Sequence, residues 1–447
     1  MPDDRPSIGI AADSGATPGA DGLPRAGPAS PGADGRPGAG PALPDAGGPP
    51  GARPVPPGRD GHPGSRPIPA GVVGALVGFV GSSTVVLTGL HAVGASDRQA
   101  ASGLLALCVA IAVTGAGLSL RTRLPMAVAW STPGAALLIS AGRPDGGFAA
   151  AVGAFLVCGA LLAVSGLWGT LVRLVSSIPI PLAGALTASI VLPVCFGPAR
   201  AIADVPEQAL PVVLAWGVLM LVARRLAVPG ALLALVIVVA VSGDLHLGPA
   251  SELWPRPELT APTFDAGALI GIALPLYVVT MVSQNVAGVG VLASFGYRAP
   301  VRPALLSTGL GSVLAAPFGG HAISLAALSA ALVSGPDAGP HERRWVAGVA
   351  NGASYVVLAL LAGLAVAFVA ATPPVLVQAV AGLALVAALE PALATAFTDP
   401  EHRPAAVATI VVGASGVTIL GIGGAFWGLV AGLIVHVART RRAPRTA

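Results

Sequence analysis

Residues 129–141 read AWSTPGAALLISA, and residues 315–334 read AAPFGGHAISLAALSAALVS. Both stretches are apolar enough for a membrane interior, and both carry helix breakers where an unbroken helix is expected. Ser131-Thr132-Pro133-Gly134 precedes Ala135 to Ala141 in the first, and Phe318-Gly319-Gly320-His321 precedes Ala322 to Val333 in the second. Each restarts a helix too short for a hydrocarbon layer that takes about 20 residues to cross. Pro133 removes a backbone donor and Gly134 lets the chain turn; Gly319 and Gly320 do the same in the second stretch. A helix start inside a membrane presents unpaired N–H groups and about half a positive charge. In secondary transporters such starts mark the site of an anionic substrate.

The whole chain agrees with a membrane setting. Hydrophobic residues make up 54% of its 447 residues and charged residues only 10%, too little polar surface for a soluble protein of this length. All 24 basic residues are arginine. The absence of lysine excludes a Walker P-loop and with it a nucleotide-driven pump. Cys108, Cys158 and Cys195 all lie in apolar runs without metal or disulfide spacing, so no metal or cofactor is expected. The net charge of +4 comes mainly from loop arginines and does not indicate nucleic-acid binding.

Residues 1–66 are rich in Pro, Gly, Ala and Asp and are expected to be a disordered tail. Fourteen apolar segments follow, roughly at 69–90, 99–119, 125–141, 147–169, 176–197, 209–223, 228–243, 266–288, 302–316, 320–334, 345–370, 374–396, 404–422 and 425–438. With the tail cytoplasmic, ten loop arginines fall inside, and only Arg98, Arg143, Arg200 and Arg256 fall outside, as the positive-inside rule requires. Both termini are then cytoplasmic, the acidic linker 246–265 is extracellular and residues 439–447 form a basic cytoplasmic end.

The chain also repeats itself. Gly74-Ala75-Leu76-Val77-Gly78 matches Gly267-Ala268-Leu269-Ile270-Gly271, an offset of 267 − 74 = 193, which also relates Pro181 to Pro374 and Pro211 to Pro404. Seven spans per copy is an odd number, so the second copy enters from the opposite face. The expectation is an all-α polytopic protein of two inverted seven-segment repeats, 67–245 and 266–438, with broken segments three and ten in equivalent places.

Candidate site residues cluster on these segments. Ser131, Thr132 and the N–H groups near His321 are the expected donors, with Pro133, Gly134, Phe318, Gly319 and Gly320 shaping the two starts. Segment eight adds Tyr277, Thr280, Ser283, Gln284 and Asn285, and the offset pairs Gln284 with His91. His321 is the first choice for proton coupling, since imidazole titrates near neutral pH; Glu390, the only acid well inside an apolar segment, and His91 are rivals.

Ala129 to Ala136, Ser283-Gln284-Asn285, Phe295-Gly296-Tyr297-Arg298, Ala315 to Ile323, and Gly335-Pro336 with Arg343 to Gly348 resemble the BenE family of benzoate/proton symporters. The likeness covers roughly 70–438. It implies import of benzoate or a related aromatic carboxylate with a proton across the cell membrane. It also implies kinship with nucleobase/ascorbate and sulfate transporters, whose inverted repeats divide into core and gate domains and which are often dimers. Nucleobase relatives carry substrate-binding glutamates on segments eight and ten. The matching positions here look like Gln284 and His321, a change that suits an anionic guest. A same-fold transporter of another anion or a nucleobase is the alternative. A more distant reading is an intramembrane serine protease, from Gly413-Ala414-Ser415-Gly416 with His436 as partner; otherwise no enzymatic role is expected.

Overall fold

A computed structural model describes residues 66–242, 253–419 and 422–442. Residues 1–65 of the expected tail, part of the linker and the last five residues lie outside the described residues. The elements are α1 Pro67–Ala92, α2 Asp97–Thr122, β1 Val128–Trp130, α3 Thr132–Ala141, α4 Gly147–Leu167, α5 Gly169–Ser176, α6 Ile180–Cys195, α7 Gly197–Asp204, α8 Pro206–Val222 and α9 Ala227–Ser242. After the linker come α10 Ala266–Ser294, α11 Val301–Ala315, β2 Ile323–Leu325, α12 Ala327–Ser334, α13 Trp345–Leu360, α14 Ala362–Ala370, α15 Pro374–Ala396, α16 Arg403–Ala414 and α17 Gly424–Arg442.

Each of the fourteen apolar segments carries a helix. Among the described residues, seven helices are long and apolar enough to cross a membrane, or eight when α13 and α14, bent by 53°, count as one span. The others, including α3 and α12, are shorter. The architecture is helical apart from the two three-residue strands, which hydropathy alone does not reveal.

Local chemistry sets the helix ends. Ser96 and Gln99 form a reciprocal capping box at the start of α2 (3.3 and 3.0 Å). Asp265 accepts from Ala268 N–H at the start of α10 (2.8 Å). Prolines stand in the first turn of both α6 and α15, where a missing N–H costs nothing.

The packing follows a two-fold pattern. The α4–α11 contact and the α2–α13 contact are mates under an exchange of repeats, because segment four corresponds to eleven and two to nine. Both are built on glycine, as close approach in lipid requires. A Cβ on Gly159 would meet Val313 N at 2.8 Å, and one on Gly352 would meet Ala116 N at 2.5 Å. Helices α1–α4 and α10–α13 pack together as one group; α6–α9 and α15–α17 form a second, matching the core and gate division.

The repeats meet at the strands. β1 and β2 are antiparallel, with Val128 opposite Leu325, Ala129 opposite Ser324 and Trp130 opposite Ile323. Antiparallel pairing of equivalent strands is what an in-plane two-fold axis demands, and the axis falls on the Ala129–Ser324 pair. The half-helix starts at 132 and 327 differ by 195, so the repeat slips by two residues from the sequence offset. His91 and Gln284 stand at different distances from the ends of their helices. His91 is in the last turn of α1, while Gln284 sits ten residues before the end of α10.

Gly159→Val and Gly352→Val are expected to lower stability in detergent by about 1–3 kcal/mol, the usual cost of overpacking. Gly117→Val, where a Cβ meets nothing within 4 Å, is expected to leave the melting temperature unchanged. A thermal-shift series on the purified protein checks this.

Candidate functional site

The two breaks are held open by hydrogen bonds that replace helical ones. Beyond the ladder, Ser131 N–H donates to Ala322 O (2.9 Å) and Ala326 N–H to Ala127 O (3.1 Å). Leu325 N–H donates to Asn285 Oδ1 (3.1 Å) and Ile323 N–H to Ser312 Oγ (2.9 Å). Ser119 Oγ both accepts from Met126 N–H and donates to its carbonyl (3.2 and 3.1 Å). Trp130, 2% exposed, donates from Nε1 to Ser82 Oγ (2.8 Å) and stacks edge-on with Tyr355.

The helix that carries Gln284 runs beside this ladder. α10 widens to π geometry over Thr280–Val286, a distortion frequent at functional sites. Thr280 donates to Ser131 Oγ (2.9 Å) at the start of α3, and Asn285 reaches Leu325 just before α12. Ser283 and Gln284 lie between these two contacts. Ser283 Oγ bonds back to Val279 O. Gln284 is half-buried and its amide makes no hydrogen bond to a described residue. Tyr277 faces away, with its hydroxyl on Ser165 Oγ of α4 (2.7 Å).

The two half-helix starts differ. At α3, Ser131 Oγ accepts from Gly134 N–H (3.2 Å), and Pro133 has no N–H. Only Thr132 N–H remains free in that turn. At α12 the N-cap is Ala326, which offers no side-chain cap. The N–H groups of Ala327, Leu328 and Ser329 have no partner among the described residues, and Leu328 is 65% exposed. Ala327 is half-buried and Ser329 buried, so the terminus lies at the edge of the packed core with only Leu328 well exposed.

Three expectations change here. First, His321 does not open the second half-helix. Phe318 lies in a 3-10 turn, Gly319 turns with φ +91°, and Gly320 and His321 lead into β2, ahead of the helix start at Ala327. A Cβ on Gly319 would meet Gln99 O of α2 at 3.1 Å and Phe148 of α4 at 3.2 Å, so this turn is wedged inside the core group. Second, the two starts do not converge on one point. Antiparallel pairing puts Ser131 beside Ala322 and Ala326 beside Ala127, so the starts sit about 13 Å apart along the strands, at ~3.3 Å per residue. One carboxylate can take N–H groups from one start only. Third, Asn285 and Tyr277 have their polar atoms engaged by protein.

His321 is fully buried, with Nδ1 3.1 Å from Ala322 O, its ring edge-on to Phe155 and Nε2 without a partner. Glu390 is 67% exposed and paired with Arg224 in the turn between α8 and α9. His91 Nε2 stands 3.1 Å from Asp97 Oδ1 on the α1–α2 turn, off the line of a hydrogen bond. The protease pair does not meet. His436 stacks on His402 (4.9 Å), at the end of the α16–α17 hairpin opposite Ser415, roughly 18 Å away for 12 residues of helix. A cavity of about 110 Å³ does lie between the two helix groups, but it borders Leu137, Ser140 and Ala141 at the far end of α3 with Pro193 and Gly413, not residues 131–134.

Thr280, expected from segment eight, does reach the break. The sequence reading misses Ser312 and the N–H groups of Ala327–Ser329. A serine–threonine register around the breaks signals Ser312. Nothing in the letters Ala-Ala-Leu-Ser signals the N–H groups, because their chemistry is all backbone.

Residues 64–438 match the family model BenE, described as benzoate membrane transport protein. The chain belongs to the BenE family. This BenE member is 35% identical over 371 residues to the inner membrane protein YdcO of Escherichia coli K12, covering 82% of this chain and 94% of that one. It is 30% identical over 374 residues to the benzoate membrane transport protein of Acinetobacter baylyi, covering 82% and 93%. Its fold is that of the transmembrane domain of the cyanobacterial bicarbonate transporter BicA (TM-score 0.51, 16% identity, 86% of this chain and 99% of that one). The structure of SLC26A9 is similar (TM-score 0.51, 14% identity, 83% and 65%). The protein is a membrane transporter with a small-molecule substrate, and its role is transport rather than catalysis.

Gln284→Ala is expected to weaken substrate binding about tenfold with an unchanged melting temperature. Asn285→Ala is expected to lower stability by ~1–3 kcal/mol, the cost of leaving the buried Leu325 N–H unpaired. Parallel binding and thermal-shift measurements on both variants separate the two roles.

Proposed function

We propose that this BenE member imports benzoate or a related aromatic carboxylate together with a proton, across a cell membrane with both termini cytoplasmic. The observation that carries the reading is the uncapped start of α12. Three backbone N–H groups with a partial positive charge suit a carboxylate, and no acidic side chain stands among them to repel it. The carboxylate binds at Ala327–Ser329, and the ring lies along the ladder toward Thr132, beside Gln284. Leu328 supplies apolar contact. The more distant start of α3 adds its field without direct bonds. The 30% identity to a benzoate membrane transport protein supports the aromatic substrate.

Coupling to a proton falls to His321. Its Nδ1–H is used on Ala322 O, and its free Nε2 is the acceptor for the transported proton. The imidazole precedes the strand that leads to the anion-binding start, so its charge bears on the same segment. Glu390, with its arginine partner and exposed carboxylate, acts instead as an interfacial ion pair. Alternating access comes from motion of the α6–α9/α15–α17 group against the group that holds the site.

Proteoliposomes with an acid exterior are expected to accumulate radiolabelled benzoate, and uracil and sulfate are expected not to compete. His321→Gln is expected to abolish stimulation by the pH gradient. Uptake indifferent to benzoate would assign another substrate to the same fold, and full coupling in His321→Gln would remove this residue from the proton path.

A further inference from the structure

The far end of α12 holds a second feature. Arg344 is only 5% exposed and makes no ion pair among the described residues. Its Nη1 donates to Ser334 O (2.7 Å) and its Nε to Gly339 O (2.8 Å). Ser334 is the last residue of α12, and the C-cap Gly335 closes no backbone bond of its own. The guanidinium thus takes the place of the missing cap. Its loop is fixed in turn to the end of α10. The rings of Tyr297 and His341 stack at 4.1 Å and 7°, Tyr297 Oη donates to His341 O (2.8 Å) and His341 Nε2 lies 3.1 Å from Phe295 O. Burial raises the Tyr297 pKa, and the Arg344 charge pulls it back down.

We propose that Arg344 is a positioning residue for the substrate anion, acting through α12: it clamps the helix's last carbonyl, Ser334 O, to the following loop at Gly339 O, so that the uncapped N-terminus stays in register and presents its positive end undiminished. An eight-residue helix is about 12 Å long, so the negative end of so short a dipole lies close enough to weaken the field at the other. A buried cation on the last carbonyl cancels that contribution, and it is screened less than an exposed one would be. A planar fork that grips two carbonyls also fixes the helix direction, which a lysine does poorly. The clamp joins α12 to α10, the helix that carries Gln284, so both walls of the site share one support. This inference rests on the carboxylate reading given above.

The test uses the full chain in proteoliposomes with wild type as reference. Saturable benzoate uptake by wild type establishes the substrate independently; its absence would fault the substrate reading alone. Arg344→Met is expected to raise the KM for benzoate about tenfold in the folded fraction, and Arg344→Lys about threefold, since it keeps the charge and loses the fork. Arg343→Met, which removes the neighbouring exposed charge, is expected to leave KM unchanged. Should Arg344→Met fail to fold, Arg344→Lys against Arg343→Met decides. A wild-type KM in Arg344→Lys and in every folded Arg344 variant, with only the yield or melting temperature reduced, would overturn the proposal.

Discussion

Unpaired backbone is the constraint on which this structure depends. Lipid offers no hydrogen bonds, so a chain that leaves the helix inside a membrane must find a partner for each N–H and C=O it frees. Here the two unwound segments find each other. Their short antiparallel ladder, extended by Ser131 N–H to Ala322 O and Ala326 N–H to Ala127 O, pairs the main chain. Ser119, Ser312 and Asn285 take what the ladder leaves over. Pairing between equivalent strands also fixes the relation of the repeats, and the glycine-lined α4–α11 and α2–α13 contacts follow from the same two-fold.

Against that background the start of α12 stands out. Three N–H groups in a row, those of Ala327, Leu328 and Ser329, have no partner among the described residues, against the single free N–H of Thr132 at the start of α3. A buried donor left unmade costs on the order of 1–3 kcal/mol, so a terminus with three open donors beside the ladder is suited to a guest that completes it. The α3 start, closed by Ser131 and Pro133, is shaped for scaffolding. The inverted repeats thus share a fold but differ at their half-helix starts. One is tied to α10 through Thr280, and the other keeps free N–H groups.

Much of this is legible in the sequence. The Pro and Gly breakers and the internal repeat give the inverted architecture, and the short strings around Pro133 and His321 give the family. The detail is lost where chemistry leaves no side-chain signature. The sequence places the second break at Gly319-Gly320-His321, because Gly and His are visible. The helix start with free N–H groups lies six residues later, at Ala327, in a run of Ala, Leu and Ser. Polar residues misled in the other direction. Asn285 and Tyr277 look like ligands for a guest, yet the fold uses them for Leu325 and Ser165. Arg344 shows the same limit, since a buried arginine and a loop arginine read alike until the carbonyls it holds are seen.

The most direct measurement is the benzoate dissociation constant of Ala326→Ser and Ala326→Asp beside wild type, with melting temperatures alongside. A side-chain oxygen at this N-cap bonds the free N–H groups itself, and the aspartate adds a like charge. If α12 holds the carboxylate, affinity falls in the order wild type, serine, aspartate while the serine variant melts no lower than wild type. Wild-type affinity in folded Ala326→Asp would contradict it and place the anion elsewhere.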